Sequence, residues 1–488
     1  MRISGCFVAA MLAFAGWSAV LTANDGDIIS DVQVNQAGLT VHWFTQIQLG
    51  REQKLIAAEL VVDENESTTF FEITGGGRRE VISDKDINAF GEPYGVAGAE
   101  QRAKDRMEVI QAELRFHNSS ETVKINQYTV PRSTVYALGD GGAMHAIDAE
   151  TGVQLWQTQI GNRRHPTIGM GASKSYLAVV RGSRVYCLDA RTGKVIFEYQ
   201  CEFAVTNSPA VSDESIFVPL INGALMTLPI KTKGAGTLPL NAVGAALAAP
   251  RVAGNLVAWT TDAGYIMVAL RENVDVLKFR VKAAGSFNAA PSANNRRLFA
   301  VTYSGYVYAI DDRKGNILWN FSIGERVSHS PVAIDDAVYV FTDNNNLFQF
   351  NAATGEPAKG WEKSLKNMAA YVGASEDKLY TRDSVGNIVV LDRLTGTRLG
   401  QVDSKTQFKS IENVQTDRLY VCTNSGLLQC IREIGQTRPY FHSGKEAVAD
   451  PFAEPAAGDG KKPEENKNPF GDDGESKDSG GGTGDEIK

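Results

Sequence analysis

The side chains with the strongest potential for ligand binding lie in two short basic loops. The loops read "GNRRHPT" (161–167) and "GERVSHSP" (324–331), and their basic residues are Arg163, Arg164, His165, Arg326 and His329. Guanidinium and imidazolium groups beside one cavity would bind an acidic peptide or another anion. The alternative is a scattering of solvated surface charges, since Arg side chains are mostly exposed in folded proteins.

Other patterns that carry chemistry are missing from the sequence. The six histidines never occur two or four residues apart, which is the spacing expected of paired zinc ligands on one strand or helix. No GxSxG, HExxH or P-loop motif is present, and the glycines of "ITGGGRRE" (73–80) lack the strand–helix context of a phosphate loop. We therefore predict no catalytic residue, no metal site and no cofactor.

The basic loops belong to a repeating unit that must position them. The small residues that open the units are 40 or 41 positions apart, and they are Gly142, Ser183, Gly223, Gly264, Gly305, Asn345, Gly386 and Gly426. Each unit holds alternating apolar runs bounded by Gly, Asn and Asp, which is typical of β-hairpins. Four short antiparallel strands per unit, repeated eight times, favour a propeller over a β-helix or a helical solenoid. We predict an all-β fold, an eight-bladed β-propeller of four-stranded blades over residues 133–443.

Residues 24–132 do not repeat, but they contain a stretch that completes the pattern. "GLTVHWFTQIQLG" (38–50) resembles the third run of a unit, whereas the eighth unit ends in a poorly formed run. We predict that the strand near Trp43 completes the last blade and closes the ring, because closure removes exposed sheet edges. The rest of this segment is an insertion with a helix predicted over 98–116 from its apolar spacing. We expect the helix to pack against the propeller, and a partner-binding helix is the alternative.

Both ends of the sequence differ from the repeats. Residues 1–23 carry Arg2 before an apolar run, which predicts an export signal cleaved after Ala23, with an uncleaved anchor as the alternative. No other segment is apolar enough to predict a transmembrane span. Residues 444–488 are rich in Pro, Gly and charged residues, and predict a disordered acidic tail. The alternative for that tail is partner docking through "DPF" or "NPF" tripeptides.

The charge of the chain argues against a nucleic-acid partner. The formal net charge is −8, and a nucleic-acid-binding face would have to be basic. Most of the excess lies in the predicted tail, which has twelve acidic residues and six lysines. The predicted propeller is therefore close to neutral.

One unit carries a complete family motif. Ala146-x-Asp148-x-x-Thr151-Gly152-x-x-x-Trp156 matches the blade motif of the pyrroloquinoline-quinone (PQQ) repeat superfamily, and a second copy has Lys314 in place of Thr and consists of Ala309, Asp311, Gly315 and Trp319. The chain thus resembles the bacterial PQQ-binding-like, quinoprotein-type β-propeller repeat proteins, a superfamily that includes the BamB-like proteins. The resemblance implies a structural motif, in which the Thr-Gly turn joins the two outer strands and the Trp packs between blades.

The resemblance implies two classes of function. Quinoprotein dehydrogenases bind PQQ and Ca²⁺ on the propeller axis and carry a Cys-Cys pair, whereas the BamB-like class is a cofactor-free scaffold that binds other envelope proteins. This sequence has no Cys-Cys pair and few residues for long loops around a quinone. We expect an exported, non-catalytic scaffold for protein–protein interactions in the bacterial periplasm or cell envelope, with an unidentified partner. The alternatives are a PQQ-dependent oxidoreductase and a propeller that binds polysaccharide or a small ligand.

Overall fold

Eight antiparallel sheets form from the residues that the computed structural model describes, which are 28–75, 78–86, 92–117, 121–235, 239–272 and 276–442. All of them lie in one compact unit, Met1–Lys445. The predicted signal peptide and the predicted disordered tail fall outside the described residues. The predicted β-propeller is confirmed, with one sheet for each of the eight repeat units.

The elements follow the repeats in chain order. The insertion and blade 1 contain α1 (Asp31–Gln36), β1 (Leu39–Gln46), β2 (Leu55–Gly75), β3 (Arg78–Ser83), α2 (Gly95–Phe116), β4 (Lys124–Gly139), β5 (Ala143–Asp148) and β6 (Gln154–Gln159). Blades 2 to 4 contain β7 (Thr167–Ala172), β8 (Tyr176–Arg181), β9 (Arg184–Asp189), β10 (Val195–Gln200), β11 (Ala210–Val211), β12 (Ser215–Pro219), β13 (Leu225–Pro229), β14 (Arg251–Ala253), β15 (Leu256–Thr260), β16 (Tyr265–Leu270) and β17 (Leu277–Lys282).

Blades 5 to 8 complete the ring. They contain β18 (Ser292–Asn294), β19 (Arg297–Val301), β20 (Tyr306–Asp311), β21 (Ile317–Ser322), β22 (Val332–Ile334), β23 (Ala337–Phe341), β24 (Asn346–Asn351), β25 (Leu365–Lys366), β26 (Ala370–Ala374), β27 (Lys378–Arg382), β28 (Ile388–Asp392), β29 (Arg398–Val402), β30 (Lys409–Ile411), β31 (Leu419–Cys422) and β32 (Leu427–Glu433). Two sheets depart from four strands in the described residues: blade 3 has three, and blade 1 has five because β3 joins it.

The middle strands of each blade are buried on both faces, because a neighbouring blade packs on each side. Every residue of β12 and β15 is buried, so these strands read as continuous apolar runs. Most residues of the outer strands β6 and β21 are exposed. The core therefore lies between blades, as in the apolar cluster that Leu256 and Val268 of blade 4 form with Leu298 and Ile310 of blade 5.

The repeating small residue sits in the hairpin between the two middle strands of a blade. Gly142 adopts φ +87° there, and Asn345 adopts φ +57° in blade 6. A positive φ favours Gly, and Asn tolerates it better than most residues. In blade 2 the positive φ lies one residue earlier, at Gly182, which explains why Ser183 can stand at that position.

The ring is closed by the first strand of the described chain. β1 pairs antiparallel with β32, in a register that runs from Leu39 opposite Glu433 to Gln46 opposite Leu427. The strand that contains Trp43 therefore supplies the outer strand of blade 8. Closure in this way joins residues almost 400 positions apart and leaves no gap between the last blade and the first.

A buried charge cluster lies at this seam between blades 8 and 1. Arg418 of blade 8 is fully buried and places Nε 3.3 Å from Oε1 of Glu150, which belongs to blade 1. His42 of β1 places Nε2 3.5 Å from the other Glu150 oxygen. Its Nδ1 accepts a hydrogen bond from Arg432 at 3.1 Å, so the neutral ring carries its proton on Nε2, facing Glu150.

The seam cluster shifts the pKa of Glu150 and that of His42, and Arg418 Nη1 also lies 3.3 Å from Oδ1 of the buried Asp417. Burial raises the pKa of Glu150, but the Arg418 guanidinium and the His42 side chain outweigh burial and lower this pKa to about 2. Burial lowers the pKa of His42 to about 4, against the opposing effect of Glu150. At neutral pH the cluster is therefore an ion pair of Arg418 and Glu150 beside a neutral imidazole.

The insertion extends from blade 1 at the end opposite the repeat hairpins. β2 and β4 pair along most of their length, and the first half of β2 forms the innermost strand of blade 1. The second half of β2 and β3 form a sheet on which α2 packs through Ala99, Ala103 and Ile110. Neither of the two helices in the described part of the chain has the length and hydropathy to span a membrane.

Candidate interaction surface

One end of the propeller, which we call the hairpin face, gathers the repeat hairpins and the connections between blades. In six blades the N–H of a residue one or two positions after the outer strand donates to the carbonyl of the residue that opens the unit. These pairs are Ile160–Gly142, Cys201–Ser183, Ala283–Gly264, Ile323–Gly305, Met368–Asn345 and Ile47–Gly426. This repeated hydrogen bond holds the start of each connection beside the repeat hairpin of its own blade.

The five predicted basic residues lie on the hairpin face but in two separate groups. Arg163, Arg164 and His165 follow β6 and enter blade 2, whereas Arg326 and His329 follow β21 and enter blade 6. All five side chains are exposed. The two junctions are four blades apart in a ring of eight, so the groups lie on opposite sides of the ring.

The partners of these basic residues are local. The Arg326 guanidinium lies 5.7 Å from the centre of the Tyr303 ring, and His329 Nδ1 is 3.9 Å from Oδ1 of Asp343. The carbonyl of His165 accepts a hydrogen bond from the buried Arg181 at 2.7 Å. A single anion-binding rim made of all five residues remains a prediction, and the placement favours two small basic groups.

An apolar patch that sequence reasoning missed lies on the same face around blade 3. We define the blade 3 patch as four large side chains with exposed fractions of 42–57 %, which are Phe203, Ile221, Val243 and Leu247. Phe203 precedes blade 3, Ile221 lies in its repeat hairpin, and the other two lie in the connection to blade 4. Neighbouring exposed apolar side chains on one surface indicate a binding site for another protein.

Backbone contacts hold the segments of the blade 3 patch together. The N–H of Ile221 donates to the carbonyl of Ala204 at 3.0 Å, which fixes the hairpin beside Phe203. Asn207 Nδ2 donates to the carbonyl of Leu247 at 2.8 Å, and this bond ties the connection to the same segment. A Cβ added to Gly223 would lie 1.7 Å from the carbonyl oxygen of Gly244, so the hairpin and the connection approach each other closely. The patch is therefore one surface built from three loops.

Sequence reasoning missed the blade 3 patch because its residues do not recur at a regular interval along the chain. Blade 3 has the least regular unit: within its described residues, the outer strand is represented by an isolated bridge between Leu225 and Leu240. The signal available in the sequence was the apolar residues of "EFAV", "INGA" and "AVGAAL", at positions where other units carry polar loops.

The motif of blade 1 builds a turn that the neighbouring blade covers. Asp148 Oδ1 accepts hydrogen bonds from the N–H groups of Glu150 (3.0 Å) and Thr151 (2.8 Å) and from the Thr151 hydroxyl (3.0 Å). The N–H of Gly152 donates to the Asp148 carbonyl, and the Trp43 ring from blade 8 lies against Gly152. Ala146 pairs with Trp156 across β5 and β6.

The motif tryptophans connect each blade to the next. Trp156 Nε1 donates to the Ala190 carbonyl of blade 2 at 3.0 Å, and Trp319 Nε1 donates to the Ala352 carbonyl of blade 6 at 3.1 Å. Trp43 and Trp361 make the corresponding bonds at their own junctions. The motif residues thus touch other parts of the fold, which favours the structural role that the resemblance implied.

The second copy of the motif, in blade 5, repeats this arrangement with one hydrogen bond to the aspartate side chain instead of three. Ala309 pairs with Trp319, and Asp311 Oδ2 accepts the N–H of Lys314 at 2.9 Å. Lys has no hydroxyl to replace the Thr151 contact. The ring of Phe279 from blade 4 covers Gly315, as Trp43 covers the glycine of blade 1.

The donor groups of the described residues do not fit a PQQ–Ca²⁺ centre. The four described cysteines are buried free thiols at separate positions, Cys187, Cys201, Cys422 and Cys430. Burial raises the pKa of the Cys187 thiol to about 12. Within the described ranges, no group of three or more His, Cys, Asp and Glu side chains is arranged to hold a metal ion.

The chain is similar in sequence to known assembly factors. The sequence model of the family described as "Outer membrane protein assembly factor BamB" matches residues 139–235 and 257–439. The protein of that name from Yersinia pestis is 26 % identical over 327 residues, which cover 60 % of this chain and 81 % of that protein. The one from Burkholderia pseudomallei is 26 % identical over 238 residues, or 46 % of this chain and 61 % of that protein.

A solved structure has the same fold. The crystal structure of BamB from Moraxella catarrhalis superimposes with a TM-score of 0.51 at 18 % identity, over 62 % of this chain and 92 % of that chain. The two ranges matched by the family model together make up more than half of the chain. This chain therefore belongs to the BamB family of outer membrane protein assembly factors.

Proposed function

We propose that this chain is a non-catalytic scaffold of the bacterial cell envelope that binds protein partners during the assembly of outer membrane proteins. Its relatives from Yersinia pestis and Burkholderia pseudomallei bear the name of assembly factors. The proposal assigns the chain a binding role through a rigid surface, as loops on a propeller provide.

The observation that carries the proposal is the blade 3 patch on the hairpin face. Its four side chains are uncharged and apolar, and each exposes more than 40 % of its surface. About half of each side chain is already buried, so covering the rest contributes on the order of 1 kcal/mol for each one. A partner protein with an apolar centre and a polar rim would match this surface.

The patch is also preorganised for binding. The loops that carry it are fixed by the hydrogen bonds to Ala204 and Leu247 already described. Preorganised loops lose little conformational entropy when a partner binds. The basic residues Arg163, Arg164 and His165 enter blade 2 on the same face and would add a charged element at the edge of such an interface.

The test compares two charged variants on the same face. Ile221→Glu together with Val243→Glu places two carboxylates in the patch. Val385→Glu is the matched control, because Val385 is 69 % exposed and lies in the repeat hairpin of blade 7. Affinity-tagged chains carrying each change are purified from envelope fractions, and the abundance of outer-membrane β-barrel proteins is measured in cells that express only that variant.

The proposal makes the two variants behave differently. We expect the patch variant to lose its co-purified envelope partners and to lower β-barrel abundance, with thermal unfolding unchanged, while Val385→Glu behaves as the unaltered chain. If the patch variant retains the same partners and the same β-barrel levels, the proposal is wrong. Equal losses in both variants would show that the patch has no special role.

A further inference from the structure

The outer strand of blade 5, β21, is unusually apolar for a strand at a sheet edge. It reads ILWNFS, and three of its six residues are large apolar side chains with exposed fractions of 42 % at Ile317, 47 % at Leu318 and 37 % at Phe321. It has no charged residue. Proteins usually protect such edges with charges, because an exposed apolar edge pairs with other strands.

Other outer strands of the described ring are better protected. β10 contains Glu198, β17 contains Arg280 between two lysines, and β29 contains Arg398. β6 is uncharged but reads QLWQTQ, and Leu155 is its one exposed large apolar residue. β21 and β6 share the motif tryptophan, so the apolar residues around Trp319 are not required by the motif.

The backbone of β21 directs one row of polar groups away from its sheet. Ile323, two residues after Phe321, donates its N–H to the carbonyl of Gly305 at 2.9 Å. Hydrogen-bonded pairs recur at every second residue of an antiparallel ladder, so Phe321 directs its backbone groups toward β20. Asn320 and Ser322 therefore direct their N–H and C=O groups outward, where an added strand would bind them.

An aromatic surface continues from β21 to blade 6. This surface consists of the exposed Phe321 ring and the half-buried Phe348 ring, which both pack on the buried Phe350, with ring centres 5.0 Å and 6.4 Å from its centre. β25 pairs only with Asn346 and Leu347, so in the described structure the rest of β24 has no outer strand beside it. A strand added to β21 would place side chains over the rings of Phe321 and Phe348.

We propose that β21 accepts an extended segment of a partner protein as an additional strand, with apolar residues at alternate positions of that segment. The backbone of the segment would bind the outward groups of Asn320 and Ser322. Its apolar side chains, which lie on one face because strands have a two-residue period, would cover Phe321 and the aromatic surface. This edge differs from the blade 3 patch, which is built from loops, and the proposal does not depend on what that patch binds.

The test uses the full chain and a synthetic peptide of alternating valine and threonine with a lysine at each end. Asn320→Pro removes an outward N–H without removing a hydrogen bond between β20 and β21. Gln157→Pro is the matched control, because Gln157 follows Trp156 in β6 as Asn320 follows Trp319 in β21. We expect Asn320→Pro to raise the peptide Kd by about tenfold or more, the equivalent of about 1.4 kcal/mol, and Gln157→Pro to leave it unchanged.

Two measurements on the unaltered chain remain decisive if Asn320→Pro fails to fold. A peptide N-methylated at alternate residues loses the donors of one edge, and we expect it not to bind. Hydrogen exchange should slow at the amides of Asn320 and Ser322 when the unmodified peptide is added. Equal binding of the N-methylated peptide, or protection at another site, would overturn the proposal. A dimer of the free chain that protects the same amides would also overturn it, because the occupant would be a second copy.

Discussion

Two junctions of the ring, between blades 8 and 1 and between blades 1 and 2, use the same contact in different electrostatic settings. At both junctions a tryptophan Nε1 of one blade donates to a backbone carbonyl of the next blade. The carbonyl belongs to the alanine after the motif aspartate, which is Ala149 in blade 1 and Ala190 in blade 2. The residue after that carbonyl is Glu150 at the first junction and Arg191 at the second. Glu150 is buried against Arg418, whereas Arg191 is exposed.

The difference shows how a closed repeat protein secures its seam. The junction between blades 1 and 2 joins consecutive parts of the chain, so the covalent connection already brings its faces together. The seam joins the two ends of the repeat array, and it adds a buried ion pair that a misplaced blade would leave unsatisfied. A buried charge left without its partner is strongly unfavourable, so the pair favours one register of closure.

Among the changes at the two junctions, removal of the buried Arg418 side chain should lower the stability of the chain most. Arg418→Ala leaves the Glu150 carboxylate buried without its ion pair, and we expect the free energy of unfolding to fall by about 3–5 kcal/mol. Denaturant unfolding followed by tryptophan fluorescence measures the loss. The triple variant Arg418→Met, Glu150→Leu, Asp417→Asn is the control and should recover most of the stability, because it leaves neither of the two buried carboxylates without its ion pair. If Arg418→Ala lowers the free energy of unfolding by less than about 1 kcal/mol, the pair contributes no more than an exposed ion pair does, and the prediction is wrong.

Replacing the tryptophan at each junction by alanine should cost more stability where the tryptophan is more deeply buried. Trp43 is 7 % exposed and Trp156 is half-buried. We expect Trp43→Ala to lower the free energy of unfolding by about 3–4 kcal/mol and Trp156→Ala by about 2 kcal/mol, since removal of a buried aromatic also leaves a cavity. Chemical denaturation of the two variants gives both values. If Trp156→Ala is as stable as the unaltered chain, the structural role of the motif is wrong.

As the pH falls, the seam between blades 8 and 1 should lose stability at a higher pH than the junction between blades 1 and 2. Burial lowers the pKa of His42 to about 4, below the 6.5 of a free imidazole. Between these values the unfolded chain binds more protons than the folded one, so stability is present above pH 6.5 and is lost as the pH falls toward 4. Three guanidinium groups, those of Arg79, Arg418 and Arg432, face the ring and oppose its protonation, while Glu150 favours it.

The change that isolates this effect is His42→Asn. We expect the drop in stability between pH 6.5 and 4, about 3 kcal/mol for a shift of this size, to become shallower in the variant. His329→Asn is the control, because His329 is exposed. Thermal unfolding across this pH range tests the prediction. A parallel drop in the unaltered chain and in His42→Asn would assign the acid sensitivity to other groups.

The smallest effect is expected at the exposed counterpart of Glu150. Arg191 contacts Glu66 of the insertion at the surface. Arg191→Ala should change the free energy of unfolding by about 0–1 kcal/mol, because exposed ion pairs are screened by water. Chemical denaturation beside Arg418→Ala provides the measurement. A loss as large as that of Arg418→Ala would remove the distinction between the junctions.

The fold was predictable from the sequence because its signals are local and repeat. The small residue of each hairpin and the Asp-x-x-Thr-Gly turn of several blades lie within a few residues of the groups they bind, so the eight units and the turns could be found from spacing. The burial of Glu150 is different, because its partner Arg418 lies 268 positions away. Arg191 stands at the same place in the motif, and nothing local distinguishes the two.

The candidate surfaces were less predictable for a related reason. The sequence shows that two loops are rich in basic residues. That these loops lie on opposite sides of the ring depends on the order of the blades. The blade 3 patch arises where the repeat is weakest, so a search for regular spacing passes over Ile221 and Val243. Exposure of an apolar side chain depends on what packs beside it, and only the folded chain reveals that.

Closure by β1 has a consequence for the order of events during synthesis. The strand that contains Trp43 leaves the ribosome before any blade, while its partner β32 follows almost 400 residues later. At the usual rates of translation, roughly 5–20 residues per second, this strand waits for tens of seconds with its apolar residues unpaired. During that interval the chain is an open arc with two exposed edges. A holding chaperone that shields the first strand would therefore matter more for this protein than for a propeller in which every blade is completed by neighbouring sequence.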